Sequence, residues 1–505
     1  MAKLVSEIST KNISQRQILF FLLLCIPLFL INIKNSHDWG DDFAQYLHQS
    51  KNILQGIPAY DTGYIYNERF PFLGPPAYPP GFPLLLAPIT LFANSTILPY
   101  SILITVFLVL TGVTLFYFFS GFVEILPAGI FSLILIYNPW ILHFKSEVVS
   151  DIPFTFFLFF ALLLFERRKN TTSYIISLGL LLGFICCIRW VGVVLSIALF
   201  PFLFFRFLKN RTQANKYQLL NFGILVPLIS VIFYVVMNYF IFPVNAPGSA
   251  NGNQLQILFS KVSVDSLMLN LTNYSLLIRN FFCYPSQEFW SVPARYAGNI
   301  LFIGGLAGWT ISILKKHELK DWFFVLYAVL LIIYPYGSSG LRFLIPVIPL
   351  LLIYTFEIFR QFLPFTTLKT PAFLGWMIIC FFMYRSEVKK IISEKNMVIL
   401  GPYRIDAQAM FSYISRNTKN TDRILFIKPR ALSYYTNRSA FANLPKEDQQ
   451  HFNQQLKVNA LNYLLNDTEM PNPALTEFLK DSTRSELQYQ IGAFYFYQLK
   501  TKTYE

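Results

Sequence analysis

The sequence predicts an all-α polytopic membrane domain followed by a small soluble α/β domain. The composition indicates the membrane domain, because 54% of the 505 residues are hydrophobic, 13% are charged and 53 are Phe. A soluble core does not need this mixture, whereas a lipid-facing surface does. Apolar runs recur through residues 1–384 and then stop. Residues 385–505 are polar and alternate strand-like patterns with helical ones, which indicates the soluble domain.

About eleven apolar runs are candidates for transmembrane helices. A helix needs about 20 residues to cross a bilayer, and several of these runs are shorter. No small-residue cleavage site follows the first run, so we interpret it as a retained helix rather than a signal peptide. The runs cover residues 18–33, 97–119, 124–141, 152–165, 174–190, 191–208, 218–241, 299–314, 322–336, 342–358 and 371–384.

The distribution of Lys and Arg predicts the orientation. If the spans alternate, five basic clusters fall on one side, which is then the cytoplasmic side. This places the N-terminus in the cytoplasm and residues 385–505 outside. The net charge of +14 follows from this pattern, so nucleic acid is not an expected partner. The clusters are Lys3, Lys11 and Arg16; Arg167, Arg168 and Lys169; Lys209, Arg211 and Lys216; Lys315, Lys316 and Lys320; and Arg360 and Lys369.

The first outer loop, residues 34–96, carries an acidic pair. Asp41 and Asp42 begin the stretch DDFAQYLHQSKNILQG, whose apolar residues have approximate helical spacing. We therefore predict an amphipathic helix on the outer membrane surface, with the pair at its N-terminus. One Asp at that place is an ordinary helix cap. Two adjacent Asp exceed what a cap requires.

A second acidic motif lies in the outer loop 141–151. Glu147 and Asp151 are four residues apart and share a face if the segment is helical, with His143 and Lys145 close by. The alternative is that Asp151 caps the next helix. A further long outer loop covers residues 242–298.

Two arginines lie at membrane depth or at its edge. Arg189 is flanked on both sides by apolar residues, and Arg342 lies in an outer turn. Because a charge in the membrane is costly, such residues are candidates for function. Snorkelling to the headgroups explains Arg342 equally well.

These motifs, in this order, resemble the GT-C superfamily of integral-membrane glycosyltransferases. The resemblance rests on Asp41, Asp42 and Tyr46, the segment YPPGFPLLLAP, the pair Glu147 and Asp151, and the turn LRFLIPVIPLL. The chain is most similar to the bacterial branch related to dolichyl-phosphate-mannose protein mannosyltransferases and to the lipid A aminoarabinose transferase. The resemblance covers roughly residues 15–360.

The resemblance implies a location, a donor and a base. Family members act at the outer face of the membrane, here the bacterial cytoplasmic membrane, on a polyprenyl-phosphate-linked sugar. The leading Asp of the outer-loop pair is taken as the catalytic base, which corresponds to Asp41. The second member is Asp42 here, so either carboxylate can hold that role.

The expected function is transfer of a monosaccharide to a hydroxyl of a glycan, lipid or protein acceptor. A hydroxyl needs a carboxylate to accept its proton, which contributes about 10²–10⁴-fold. The departing phosphate needs cations placed in advance, for which Arg189, Arg342 and Lys145 are candidates. Direct displacement would invert the anomeric centre.

Three residues of the second acidic motif remain open in role. Glu147, Asp151 and His143 can orient the acceptor, shape the sugar pocket or bind a metal. Carboxylates favour Mg²⁺ or Mn²⁺ over soft metals, although the spacing is not diagnostic. The five Cys predict neither a disulfide framework nor a metal site.

Three alternatives to a monosaccharide transferase fit the same composition. A transporter or lipid flippase would place its charges near the midplane, often within repeats, and no repeat is visible. A polyprenyl-linked glycan ligase or polymerase would differ in its donor. A non-catalytic scaffold would tolerate loss of the acidic residues. The soluble domain is expected to select the acceptor or to cover the outer face.

Overall fold

The computed structural model describes residues 13–70, 73–93, 96–166, 171–244, 262–282, 291–334, 340–362 and 401–500, with eight single residues between 371 and 393. The chain forms two compact units. The helical unit comprises Met1–Ile33, Tyr100–Met237 and Gly252–Lys395. The mixed unit comprises Lys34–Pro99, Asn238–Asn251 and Asn396–Glu505. The first outer loop thus groups with the C-terminal segment, and the domain boundary at residues 384 and 385 stays a prediction.

The helical unit contains most of the apolar runs. Its first helix continues into a 3₁₀ turn at Ile26–Phe29, and α10 includes two π-helical turns, Asn221–Leu225 and Val236–Ile241. The last residues of α10 belong to the mixed unit. The helices are α1 (Gln15–Cys25), α4 (Leu98–Ser120), α5 (Ile125–Ile136), α6 (Pro139–Phe144), α7 (Asp151–Glu166), α8 (Thr172–Ile188), α9 (Val193–Lys209), α10 (Gln213–Ile241), α11 (Val264–Arg279), α12 (Ser291–Lys315), α13 (Leu319–Ile333) and α14 (Ile348–Phe362).

Helices occur at ten of the predicted runs, but the count of eleven spans is not confirmed. Among the described residues, four helices are long and apolar enough to cross a membrane: Leu98–Ser120, Trp190–Lys209, Gln213–Ile241 and Ala294–Lys315. Several others are shorter, including α1, α5 and α8. Several stretches lie outside the described residues: most of the run 371–384, the Arg167 cluster, Lys3, Lys11, Lys369, and residues 245–261 and 283–290 of the loop 242–298.

Small residues bring two of these helices together. In α12, a Cβ at Gly308 would lie 2.1 Å from the carbonyl oxygen of Tyr354 in α14. Any side chain at this position would therefore push the helices apart. In a membrane the lipid tails are as apolar as the side chains, so helices associate through close packing of this kind rather than through the hydrophobic effect.

The ends of α12 and α13 enclose a buried polar network. The Asp321 carboxylate accepts hydrogen bonds from Ser312 Oγ at 2.9 Å and from the Tyr354 hydroxyl at 2.8 Å. Lys320 Nζ lies 3.6 Å from the same carboxylate and also pairs with Glu318. Sequence reasoning placed Lys320 in a cytoplasmic basic cluster, whereas its side chain is 4% exposed and is part of this network.

The mixed unit is built on a six-stranded sheet with the strand order β1-β3-β2-β4-β6-β5. The first four strands in that order are parallel neighbours, and β6 pairs antiparallel with both β4 and β5. The strands are β1 (Tyr64–Ile65), β2 (Arg423–Leu425), β3 (Ser439–Phe441), β4 (Tyr463–Asp467), β5 (Ser485–Ile491) and β6 (Phe494–Leu499). The edge strand β1 comes from the first outer loop, so the loop and the C-terminal segment share one sheet.

Helices cover both faces of this sheet. Adjacent strand residues point to opposite faces, and Ile424 packs in one buried cluster while Leu425 packs in the other. The first cluster includes residues of α15 and α16, and the second includes residues of α17 and α18. The helices of the unit are α2 (Asp41–Gln55), α3 (Gly81–Thr90), α15 (Ile405–Asn417), α16 (Pro429–Thr436), α17 (Gln449–Val458) and α18 (Pro473–Phe478).

Helix α2 occurs where the amphipathic pattern predicts it, but its polar face is not at a surface. Gln49 Nε2 donates to the carbonyl of Tyr78 at 2.7 Å and its Oε1 accepts the Tyr78 N–H at 3.0 Å. Gln45 donates to Thr62 Oγ1 at 3.2 Å, and Asn52 donates to the carbonyl of Asp61 at 2.7 Å. The loop that follows α2 folds back over these side chains. The spacing of polar residues in the sequence is the same whether these side chains bind water or, as here, another segment of the protein.

Candidate active site

The acidic pair lies in the first turn of α2, with Gly40 at the N-cap. The two carboxylates differ in accessibility, since the side chain of Asp41 is 7% exposed and that of Asp42 is 24% exposed. Both face residues of α16 from the C-terminal segment. The two carboxylates share Arg430 but differ in their other partners.

Asp41 holds the N-terminus of α16. Its Oδ1 accepts the N–H of Ala431 at 3.1 Å, and its Oδ2 accepts the N–H of Arg430 at 3.4 Å. These are N–H groups of a first helical turn, which have no partner within the helix and favour a negative charge. Burial raises the pKa of Asp41, against the lowering effect of the Arg430 and Lys428 charges.

Asp42 is held by a hydroxyl and a guanidinium. Its Oδ1 accepts hydrogen bonds from the Tyr78 hydroxyl at 2.6 Å and from Arg430 Nη1 at 3.1 Å. Arg430 Nη1 also donates to the Tyr78 oxygen at 3.1 Å. The carboxylate, the phenol and the guanidinium thus form a closed triangle that fixes the orientation of Asp42.

The Arg430 side chain is fully buried. Its Nη2 donates to the carbonyl of Pro75 at 2.8 Å. The guanidinium carbon lies 4.9 Å from the ring centre of Tyr64 and 5.2 Å from that of Tyr78. Although burial opposes the charge, the surrounding anionic and aromatic groups outweigh it and raise the pKa of Arg430, so this residue is a permanent cation.

Gly74 makes room for this arrangement. Its φ is +89°, and a Cβ there would lie 2.8 Å from Arg430 Nη2 and 2.9 Å from the Tyr78 hydroxyl. Any other residue would have to displace one of these two groups from Asp42. The backbone conformation also favours glycine.

Sequence reasoning missed Arg430 and Tyr78. Tyr78 begins the segment YPPGFPLLLAP and Arg430 lies in the stretch RILFIKPRALSYYTNRSAF, and neither stretch has a pattern that links it to the acidic pair. Arg430 and Asp42 are 388 positions apart. The only local signal for Arg430 is its place directly after Pro429, at the start of a stretch that can form a helix.

In the helical unit, three predicted site residues come together. Arg189 pairs with Asp151, and both are largely buried, with 15% and 3% of their side chains exposed. The guanidinium of Arg189 lies 5.0 Å from the ring centre of Phe343, and that of Arg342 lies 5.5 Å from it. Two of the predicted arginines thus lie against one aromatic ring, and the predicted carboxylate Asp151 pairs with Arg189.

The remaining predicted residues of the 141–151 loop lie in two other contacts. His143 Nε2 lies 3.0 Å from Glu147 Oε1, with 40% and 17% of the side chains exposed. Lys145 is buried, and its Nζ donates to the carbonyl of Asn32 at 3.2 Å. Burial lowers the pKa of Lys145 to about 7.

The described residues contain no group of three or more His, Cys, Asp or Glu placed to hold a metal ion. Asp151 and Glu147, the carboxylates considered for Mg²⁺ or Mn²⁺, each pair with a basic side chain instead. Their arrangement does not fit a metal site, and we derive no step through one.

The helical unit contains an apolar cavity, and some residues that line it lie close in the sequence to Asp151 and Arg342. Its lining includes Ile152, next to Asp151, and Ile345 and Ile348, which follow Arg342. Leu108, Thr111 and Leu115 of α4 complete one wall. The side chains that line the cavity are nearly all apolar.

The fold is similar to those of an ArnT and of an archaeal oligosaccharyltransferase, in agreement with the fold that the sequence resemblance predicts. No family model matches the chain, and no curated protein matches it. Solved structures do.

The ArnT of Cupriavidus metallidurans bound to undecaprenyl phosphate is 11% identical, with a TM-score of 0.54 over 97% of this chain and 99% of that one. The archaeal oligosaccharyltransferase AglB from Archaeoglobus fulgidus, in complex with an inhibitory peptide and a dolichol-phosphate, is 12% identical, with a TM-score of 0.55 over 90% of this chain and 69% of that one. The Archaeoglobus fulgidus oligosaccharyltransferase in complex with Zn and sulfate is 13% identical, with a TM-score of 0.54 and coverages of 90% and 68%.

Proposed function

We propose that this protein transfers a sugar from a polyprenyl-phosphate donor to a hydroxyl acceptor at the outer face of the bacterial cytoplasmic membrane, with inversion at the anomeric carbon. The observation that carries the proposal is the Asp42 carboxylate, partly exposed and fixed by Tyr78 and Arg430. The similarity in fold to ArnT and AglB, solved with undecaprenyl phosphate and dolichol-phosphate, supports a lipid phosphate as part of the donor.

Asp42 is the better candidate for the general base, although the resemblance points first to Asp41. A base must reach the acceptor hydroxyl. Asp41 is 7% exposed and its two oxygens accept backbone N–H groups of α16. Asp42 has the larger exposed surface, so we assign proton acceptance to Asp42 and anchoring to Asp41.

Arg342 and Arg189 are the preferred groups for the donor phosphate. Arginine stays charged and matches phosphate geometry with two donors. Both guanidinium groups lie against the ring of Phe343, so we assign the phosphate to the two arginines together. Lys145 is a weaker candidate, because a buried lysine with a pKa of about 7 is only partly charged at neutral pH.

The apolar cavity beside this cluster in sequence supports a lipid-linked donor. An isoprenoid chain needs an apolar path that starts near its phosphate. The partly exposed pair of His143 and Glu147 provides polar groups for an acceptor.

Transfer of a whole glycan is the second candidate. The similarity to an oligosaccharyltransferase supports it, whereas the ArnT structure matches this chain almost end to end. Membranes containing the protein can be offered undecaprenyl phosphate carrying one labelled sugar or a labelled oligosaccharide. We expect transfer from the monosaccharide donor, and transfer from the oligosaccharide donor alone would favour the second candidate.

The proposed base is tested by Asp42→Asn with the same labelled monosaccharide donor. We expect transfer to fall by about 10²–10⁴-fold while donor binding is retained, because only proton acceptance is lost. Asp448→Asn, at the exposed N-cap of α17, is the matched control and should retain transfer. Normal turnover by both Asp42→Asn and Asp41→Asn would remove the mechanistic basis of the proposal.

A further inference from the structure

Arg430 is an unusual residue for a structural role alone. A buried cation is costly unless it is paired and hydrogen-bonded. Well-packed apolar residues often replace such pairs without loss of stability. Here the guanidinium contacts both Asp41 and Asp42, at 4.0 Å and 3.1 Å, and no other carboxylate among the described residues lies within ion-pair distance of it.

The partners of the acidic pair divide into two groups. Asp41 accepts the backbone N–H groups at the start of α16, which fastens that helix to the first outer loop. The same helix turn carries the Arg430 side chain to Asp42. Because Asp41 fixes the helix, the guanidinium reaches Asp42 in one geometry.

From this geometry we propose that Arg430 is a positioning residue for sugar transfer, which holds the Asp42 carboxylate ionised and in one orientation, so that the C-terminal segment completes the catalytic apparatus of the first outer loop. This inference rests on the proposed function. It gives the C-terminal segment a defined part in the reaction, in place of the expected selection of an acceptor.

The charges around Asp42 favour this role. A cation within about 4–6 Å of a carboxylate typically favours its ionised form by one to three pK units. The Tyr78 hydroxyl adds a hydrogen bond to the same oxygen at 2.6 Å. The titratable and charged groups that face the pair are Tyr64 on β1, Tyr78 in the loop before α3, Lys428 and Arg430 at the start of α16, and the two carboxylates themselves.

The first test compares the pH dependence of transfer in Arg430→Gln and Arg430→Lys, with an undecaprenyl-phosphate monosaccharide as donor. In Arg430→Gln the acid limb of the pH–rate profile, where transfer falls as the base becomes protonated, should move to higher pH by about one to three units. The reason is that the carboxylate loses the cation that favours its ionised form. Arg430→Lys keeps the charge but not the two-sided geometry, so its acid limb should stay close to that of the unaltered protein while kcat falls. KM for the donor should change little in both.

Arg438 is the matched control. It is a buried arginine of the same segment, but it donates to Thr418 Oγ1 and to carbonyls at the ends of α15 and α16 rather than to a carboxylate. Arg438→Gln should lower thermal stability and leave the acid limb in place. If the limb also stays in place in Arg430→Gln, or moves equally in the two variants, Arg430 is a structural residue only.

A second measurement does not depend on turnover. Carbodiimide modifies protonated carboxyl groups, so its pH dependence at Asp42, read by mass spectrometry of the full chain, reports ionisation directly. We expect the midpoint to rise in Arg430→Gln, and also in Gly74→Ala, whose Cβ displaces the guanidinium without removing a charge. An unchanged midpoint in both variants overturns the inference. Absence of transfer from every labelled donor by the unaltered protein would instead overturn the proposed function.

Discussion

His48 lies in the buried part of α2, and its environment opposes protonation. Its side chain packs edge-on against the ring of Tyr434 at 5.8 Å. Burial, with a smaller contribution from the charge of Lys51, lowers the pKa of His48 from its ordinary 6.5 to about 4. The folded protein therefore binds this proton more weakly than the unfolded chain does.

Acid should therefore weaken the mixed unit through His48. The stability is fully present above about pH 6.5 and is lost as the pH falls through about 4, by at most roughly 3 kcal/mol. Thermal unfolding of the full chain in detergent at pH 7 and pH 4 should show a smaller drop in Tm for His48→Gln than for the unaltered protein. His451→Gln, at an exposed histidine, is the control. Equal drops in all three proteins would contradict the prediction.

Arg342 should matter for the donor more than for the acceptor. Hydrogen bonds to charged groups contribute about 1.5–3 kcal/mol, so Arg342→Ala should weaken binding of undecaprenyl phosphate in vesicles by about 10- to 150-fold. The exposed Arg360, in the last turn of α14, provides the control variant Arg360→Ala. Equal loss of donor and acceptor binding would indicate a structural arginine.

Single residues show where sequence reasoning was sufficient and where it stopped. The acidic pair, the second acidic motif and both arginines are visible as charges in improbable places. Their partners are not visible: Asp151 pairs with Arg189, and Asp42 with Arg430. The free-energy cost of burying a charge identifies a residue as a candidate, but its partner depends on which distant segments pack together.

Among the elements, α12, α13 and α14 are joined by the buried network around Asp321. The side chain of Asp321 is fully buried, and it accepts hydrogen bonds from α12 and α14 while Lys320 lies beside it. Asp321→Ala would leave the Lys320 ammonium buried with Glu318 as its one ion-pair partner among the described residues. Removing one partner of a buried pair costs roughly 3–5 kcal/mol.

We therefore expect Asp321→Ala to lower the unfolding temperature of the protein in detergent markedly. Glu357→Gln removes the pair between Lys316 and Glu357, in which the lysine is 47% exposed. Surface pairs contribute about 1 kcal/mol or less, so this control variant should unfold near the temperature of the unaltered protein. If the two variants were equally stable, the Asp321 network would not join the three helices.

Strand β1 is an element that the sequence did not predict. It has two residues, Tyr64 and Ile65, and pairs in parallel with β3. Trp39, which precedes α2, packs against Phe411, Phe426 and Phe494 of the C-terminal segment. A two-residue strand has too short a pattern to recognise, and it exists because a sheet edge is available to it.

For the whole molecule, the first outer loop should depend on the C-terminal segment for its structure. Deletion of residues 401–505 removes β3, the aromatic partners of Trp39 and the groups bound to Asp41. Limited proteolysis of the deletion variant in detergent should cleave within residues 34–70 at a much lower protease concentration than in the full chain. Cleavage at the exposed Arg211, between α9 and α10 of the helical unit, serves as the internal reference. Equal resistance of residues 34–70 in both proteins would show that the loop folds without the segment.

The sequence by itself determined the local structure and the chemical character of this protein. Apolar runs located the helices, alternating patterns located an α/β region, and acidic and basic residues in costly places identified candidate groups, because side-chain periodicity and the cost of burying charge are properties of short stretches. The tertiary structure decided which groups meet. Residues 388 positions apart come together at Asp42, and a contact at that separation depends on the packing of whole segments, which no local pattern records.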